Sequence, residues 1–219
     1  AGNSFSGRPP VVALNNKGNA LICWEEMSGY DNAEIKGKFV SKGGESFTNV
    51  FTVNNNPGTA TSRYPVVCGN GDDIFAVIWN IKENRNHYWK VKTYKLAGRE
   101  VNQTDSNVLS RPDARGFSPV AGMSGTGRIL ITNRRGSEHM FLNPDLSRTG
   151  RGEDMVLAGD IFSVRSVSVK LDSEDNIHYL WREISNTGPV CYFRKLGWNG
   201  SGIEDRAVVD AVPRGTSYQ

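Results

Sequence analysis

The stretch PVVCGNGDDIFAVIW, from Pro65 to Trp79, has one counterpart upstream and two downstream. They are PVVALNNKGNALICW from Pro10 to Trp24, PVAGMSGTGRILITN from Pro119 to Asn133, and VSVKLDSEDNIHYLW from Val167 to Trp181. Each takes the same fourteen-residue step from first residue to last, and the copies recur at intervals of about 50 residues, a period that signals a repeat architecture built from one supersecondary unit.

Each unit opens on a short apolar run, such as Val11-Val12-Ala13-Leu14 or Val66-Val67-Cys68, expected to be an inner strand buried on both faces. Turns follow at Asn15 to Gly18, Gly69 to Asp72, Ser124 to Gly127 and Asp172 to Asp175, all rich in residues that make Asx turns or tolerate positive φ. The second strands are Ala20 to Trp24, Ile74 to Trp79, Ile129 to Thr132 and Ile177 to Trp181. A second hairpin is expected after Phe39, after Tyr94 and after Phe193. Outer strands are expected at Phe47 to Val53, Glu100 to Val108, Glu153 to Leu157 and Arg206 to Val209. No sustained 3.6-residue periodicity supports helices.

Small four-stranded sheets cannot bury both faces unless neighbours stack face to face. The expected fold is therefore all-β, a β-propeller or propeller-like domain over residues 1–219. It has four four-stranded antiparallel blades at about 8–55, 63–110, 117–157 and 165–212. The Pro10-Val-Val-Ala opening, the closing Trp, the Ile35-to-Phe39 strand and the Gly43-Gly44 hairpin before Phe47 resemble the propeller-type repeats of bacterial surface and secreted proteins. The first two units, Arg8 to Asn55 and Arg63 to Ser110, are similar over their whole length; the third and fourth match in their first halves. That resemblance implies an extracellular propeller used in adhesion, carbohydrate binding or assembly, and transfers no catalytic residue. Four units make either the smallest closed ring, as in hemopexin-like domains, or an open arc completed by other chains.

Twenty-four Gly among 219 residues suit a turn-rich, many-stranded protein. A net charge of +3 is too small for binding by phosphate neutralisation, so nucleic acid is not an expected partner. No run approaches the roughly 20 apolar residues of a membrane span. The first residue is Ala, which fits a processed chain or a fragment and is read as a hint of export, giving a secreted or cell-surface location as the expectation. Cys23, Cys68 and Cys191 have no CxxC spacing, and the first two read as small buried hydrophobes.

Arg8, Arg63 and Arg165 stand two residues before three repeat starts, with Phe117 in the third unit, where Asn133 also replaces the Trp. The paired loss suggests either a guanidinium packed on an indole or three forks gathered to bind a carboxylate or sulfate. Trp24, Trp79 and Trp181, followed by Glu25, Asn80 and Arg182, read as blade packing or as sugar platforms. Trp89 and Trp198 lie outside the repeat and are expected at exposed contacts. No metal site or cofactor is called for, although calcium is an option at Asp72-Asp73 or Asp172 to Asp175.

These features lead to an expectation of a non-enzymatic lectin or adhesion module whose ligand is a glycan or cell-surface group. The alternative is an assembly subunit joining copies of itself, or a larger parent chain, through blade faces. A propeller glycoside hydrolase comes third, needing paired carboxylates or a Tyr and Glu couple. Its acidic candidates are Glu25-Glu26, Asp72-Asp73, Glu153-Asp154 and Asp172 to Asp175.

Overall fold

The computed structural model describes residues 4–5, 8–27, 33–54, 61–83, 86–98, 100–109, 118–134, 136, 139–149, 164–186 and 188–211. Phe117 and the expected outer strand Glu153 to Leu157 lie outside the described residues. All regular structure among the described residues is β, and the chain divides into two compact units, Ala1–Pro119 and Val120–Gln219, each holding two repeats.

In the first unit, β1 (Ser4–Phe5), β2 (Val11–Leu14), β3 (Ala20–Met27), β4 (Ala33–Val40) and β5 (Phe51–Thr52) form one antiparallel sheet, in which β1 and β2 both pair with β3. The second sheet runs β6 (Thr61–Gly69), β7 (Ile74–Glu83), β8 (Asn86–Ala97) and β9 (Glu100–Leu109) in sequence order. In the second unit, β10 (Pro119–Met123), β11 (Ile129–Asn133) and β12 (His139–Leu142) form one sheet. The other is β13 (Val164–Leu171), β14 (Ile177–Ser185), β15 (Gly188–Leu196) and β16 (Gly202–Ala211). These four antiparallel sheets are the expected blades, and among the described residues their strand counts are five, three, four and four.

One turn closes the first hairpin of every blade. The repeat's sixth residue, Asn15, Asn70, Ser124 or Asp172, donates its N–H to the carbonyl of the tenth: Asn19, Ile74, Arg128 or Asn176. Its side-chain oxygen accepts the N–H of the tenth residue in all four blades. The ninth residue is left-handed throughout: Gly18 at φ 79°, Asp73 at 62°, Gly127 at 86° and Asp175 at 63°. This is a type I turn with a left-handed bulge residue, the arrangement that three-residue hairpin loops favour.

The expected outer strands Glu100 to Val108 and Arg206 to Val209 lie within β9 and β16, while that of the first blade departs from the expectation. In the first blade the regular outer strand is only Phe51–Thr52 rather than Phe47 to Val53: the Phe47 and Val53 N–H groups still donate to Phe39 O and Ile35 O at 2.9 and 2.8 Å, but the return bonds go to side chains, Ile35 N–H to Asn54 Oδ1 at 2.6 Å and Phe39 N–H to Thr48 Oγ1 at 3.1 Å. The first inner strand is also not buried on both faces. Val12 and Leu14 are 59% and 62% exposed, while Val11 and Ala13 pack on the core.

Register explains that split. The face of the first blade carrying Leu21, Cys23, Ile35 and Phe39 meets the face of the second carrying Phe75, Val77, Trp79 and Tyr94. In the second unit, Leu130 and Phe141 of the third blade meet Val169, Ile177, Tyr179 and Trp181 of the fourth. Within each unit the later blade's repeat Trp lies on its leading face, the one turned to the earlier blade, and the earlier blade meets it with its trailing face. Burying one such indole removes on the order of 150–250 Å² from water, about 4–6 kcal/mol at 25 cal/mol per Å² as an upper bound. Cys23 is fully buried in the first core, and burial pushes its thiol up; no disulfide joins the three cysteines.

Candidate functional site

Inner strands bend where the repeated Arg stands. Arg8-Pro9-Pro10 separates β2 from β1, since two prolines offer no N–H to a ladder. β6 bulges between Arg63 and Val66, and β13 between Val164 and Ser166. Within the β6 bulge Tyr64 adopts φ 60°, a conformation that costs a non-glycine residue about 1–2 kcal/mol. The bend directs its N–H to a side chain: Glu25 Oε1 accepts it at 2.7 Å.

Glu25 lies on the trailing face of β3, with its side chain 1% exposed. Arg8 Nε is 3.9 Å from Oε1, and the Arg8 guanidinium sits 3.9 Å from the centroid of the Tyr64 ring. Glu25 Oε2 is buried and makes no hydrogen bond among the described residues. An unpaired buried carboxylate oxygen is costly, and such groups concentrate where a ligand or a proton is handled. The three residues border a recess of about 520 Å³, counting the solvent at its mouth, with apolar walls from Pro9, Val11, Pro65 and Val66 and with Ser118 alongside. The recess thus offers a cationic fork, a carboxylate and an aromatic face within one apolar-walled cleft.

Of the residues singled out by sequence, Arg8 and Glu25 come together here. Arg8 stacks on Tyr64 rather than on Trp24, which corrects the expected Arg–Trp pairing. Arg63 lies opposite Asn80 at the β6 bulge, and Arg165 is exposed, its Nη1 donating to Val164 O at 3.4 Å. Trp79 and Trp181 are 0% and 2% exposed between blades, and Trp181 Nε1 donates to Glu183 Oε1 at 2.7 Å. Trp89, expected at an exposed contact, is 3% exposed. Trp198 meets Phe141 edge-on at 5.0 Å, with Arg128 5.3 Å above its ring, and Trp24 is half-buried.

Three of the carboxylates considered for calcium already have donors. Asp73 accepts from Asn15 and Lys17, Asp175 from Thr126 and Arg128, and Asp172 from Asn176 and His178. Tyr64 was missed by sequence reasoning. Its signal is weak: an aromatic residue directly before the repeat Pro, where the first unit has Pro9.

No protein-family model and no curated protein matches the chain. Solved structures do. Dipeptidyl peptidase 4 from Porphyromonas gingivalis is similar at 9% identity and a TM-score of 0.50, over 94% of this chain and 31% of that one, so the chain spans about a third of its length. Virginiamycin B lyase from Staphylococcus aureus gives 11%, 0.47, 96% and 73%. A structure from the GH130 family of mannoside phosphorylases, described with glycoside hydrolases that target β-1,2 mannosidic linkages in Candida mannan, gives 10%, 0.46, 93% and 70%. At these identities the likeness shows the propeller-type fold alone.

The expectation of a non-enzymatic lectin or adhesion module is corrected. Propeller-type structures similar to the chain include a peptidase, a lyase and a phosphorylase or hydrolase family. Of the two readings of the repeat Trp residues, blade packing and sugar platform, Trp79 and Trp181 take the first.

Proposed function

We propose that the chain carries the acid–base centre of a propeller glycoside hydrolase acting on an acidic saccharide. The observation that carries this reading is the buried Glu25 carboxylate, with Oε1 fixed by the Tyr64 N–H and Oε2 unpartnered, at the edge of the recess. Glu25 passes a proton between its carboxyl and the glycosidic oxygen or the attacking water. Arg8, held flat by the Tyr64 ring, takes the sugar's carboxylate or sulfate through its fork. The proline and valine walls meet the sugar's C–H faces and exclude water.

The test is release of a fluorogenic aglycone from a panel of neutral, uronic and sialic glycosides by the purified chain. Turnover of an acidic glycoside, lowered at least about a hundredfold in kcat by Glu25→Gln, agrees with acid–base catalysis. Arg8→Ala should raise KM for the acidic substrate and leave a neutral one unchanged. A folded chain that turns over none of the panel defeats the reading.

A further inference from the structure

A second recess in the first unit shares no residue with the one at Glu25. It lies between the outer part of the first blade and that of the second, is lined by Thr48, Asn49, Val50, Phe51, Tyr94 and Val101, and measures about 630 Å³ with the solvent at its mouth. One wall is built on a glycine. Opposite Cys23 the first blade has Gly37, where the second and fourth blades have Val91 and Phe193 opposite the equivalent Ile78 and Leu180. The Phe51 ring lies against that gap, and a Cβ on Gly37 would stand only 2.9 Å from it. Phe51 stacks on Phe39 at 5.9 Å and meets Tyr94 at 5.6 Å with the rings tilted by 55°, so two aromatic walls adjoin, while Val50 and Val101 supply aliphatic ones. Val50 is 52% exposed at the rim.

We propose that this recess binds a small neutral aromatic molecule carrying an oxygen acceptor. Neutrality follows from the lining, in which no side chain is charged. Lys92, whose Nζ lies 5.8 Å from the Tyr94 ring, already donates to Val53 O. An ionised ligand would therefore lose its hydration without gaining a partner. The oxygen answers two unclaimed donors at the rim. Thr48 Oγ1 accepts the Phe39 N–H, and its own proton has no acceptor among the described residues; the exposed Asn49 amide makes no hydrogen bond among them. The aromatic ring answers Phe51 and Tyr94, because ring pairs in offset or edge-to-face contact gain about 0.5–1.5-fold of a kilocalorie per mole beyond the area they bury. Size agrees as well, since small-molecule sites occupy about 300–1,000 Å³.

Saturation-transfer NMR on the full chain, with acetophenone as the probe, tests the proposal against three matched compounds. Cyclohexyl methyl ketone keeps the oxygen and loses the aromatic ring, toluene keeps the ring and loses the oxygen, and benzoate keeps both but adds a charge. Acetophenone should bind with a Kd of about 1 mM or tighter, and each of the other three at least about threefold more weakly. Val50→Lys puts a charge at the rim on an exposed residue and should weaken acetophenone at least about fivefold, with thermal unfolding confirming that the variant is folded. Asn49→Ala should weaken acetophenone and leave toluene unchanged. Val101→Trp, which fills the recess, serves as a second blocking variant. No transfer from acetophenone overturns the proposal. So does equal affinity for any of the three matched compounds, or undiminished binding by folded Val50→Lys.

Discussion

Asp175, a left-handed turn residue of the fourth repeat, accepts Arg128 Nη1 at 2.8 Å and Thr126 Oγ1 at 2.6 Å, and so holds the turn of the third. Asp73 does the same in the first unit, taking Lys17 and Asn15 of the preceding turn. The first and third repeats have Gly18 and Gly127 at that position. One backbone conformation thus serves two purposes: glycine where the turn only has to close, aspartate where it also ties one blade to another.

Asp175→Gly keeps the backbone preference and removes the tie. Because Arg128 is 38% exposed, the expected loss is about 1–2 kcal/mol rather than the full value of a buried charged hydrogen bond. Asp175→Ala adds a left-handed penalty of about 1–2 kcal/mol. Urea unfolding of the two variants should separate them in that order, and equal losses would refute the division of roles.

The two Trp positions should differ in weight. Trp79→Ala, in a closed core, is expected to cost about 3–5 kcal/mol, and Trp24→Ala, half-buried, less than half as much. Denaturant midpoints decide it, and comparable losses would contradict the difference in burial.

Lys92 is 5% exposed and donates to Val53 O at 2.8 Å. Burial, with Lys90 adding repulsion, lowers its pKa. The native state therefore holds this proton less tightly than the unfolded chain, whose lysine titrates near about 10.4, and stability rises as pH climbs from the native value toward that figure. Lys92→Met should abolish the rise. Unfolding free energies from pH 7 to 10 that keep the wild-type slope would defeat the claim.

Asp172 shows the opposite sign. Desolvation favours its neutral form, but hydrogen bonds from His178, from the Asn176 side chain and from the Asn176 and Glu174 N–H groups outweigh it and hold the carboxyl well below the usual range. Its stabilisation is present above the unfolded value of about 3.9 and is lost as pH falls through the native one. Asp172→Asn should flatten the acid limb below about pH 4 in thermal unfolding scans. An unchanged limb would show that other carboxylates control it.

The blade hairpins were legible because turn chemistry is local: Asn70, Asp172 and their equivalents announce the turn with their own side chains. β12 and its Asn143–Ser147 turn went unread, since three apolar residues, Met140 to Leu142, give little periodicity to count. Arg8 was legible as a repeated charge and Glu25 as an acidic residue at a strand end. Their convergence on Tyr64 was not, because it depends on one bulge that redirects one N–H, and no pattern of residue types encodes a bulge of that kind.

The short outer strand of the first blade limits what its rim offers to a stray strand. A sheet's rim is dangerous when it presents a long row of unpaired N–H and C=O groups that a stray strand can copy. Here the paired segment is only two residues long, and Thr48 and Asn54 occupy donors on either side of it with side chains that carry no β-ladder onward. A foreign strand arriving at this rim finds no template to extend, so misassembly by edge growth is blocked at the first blade.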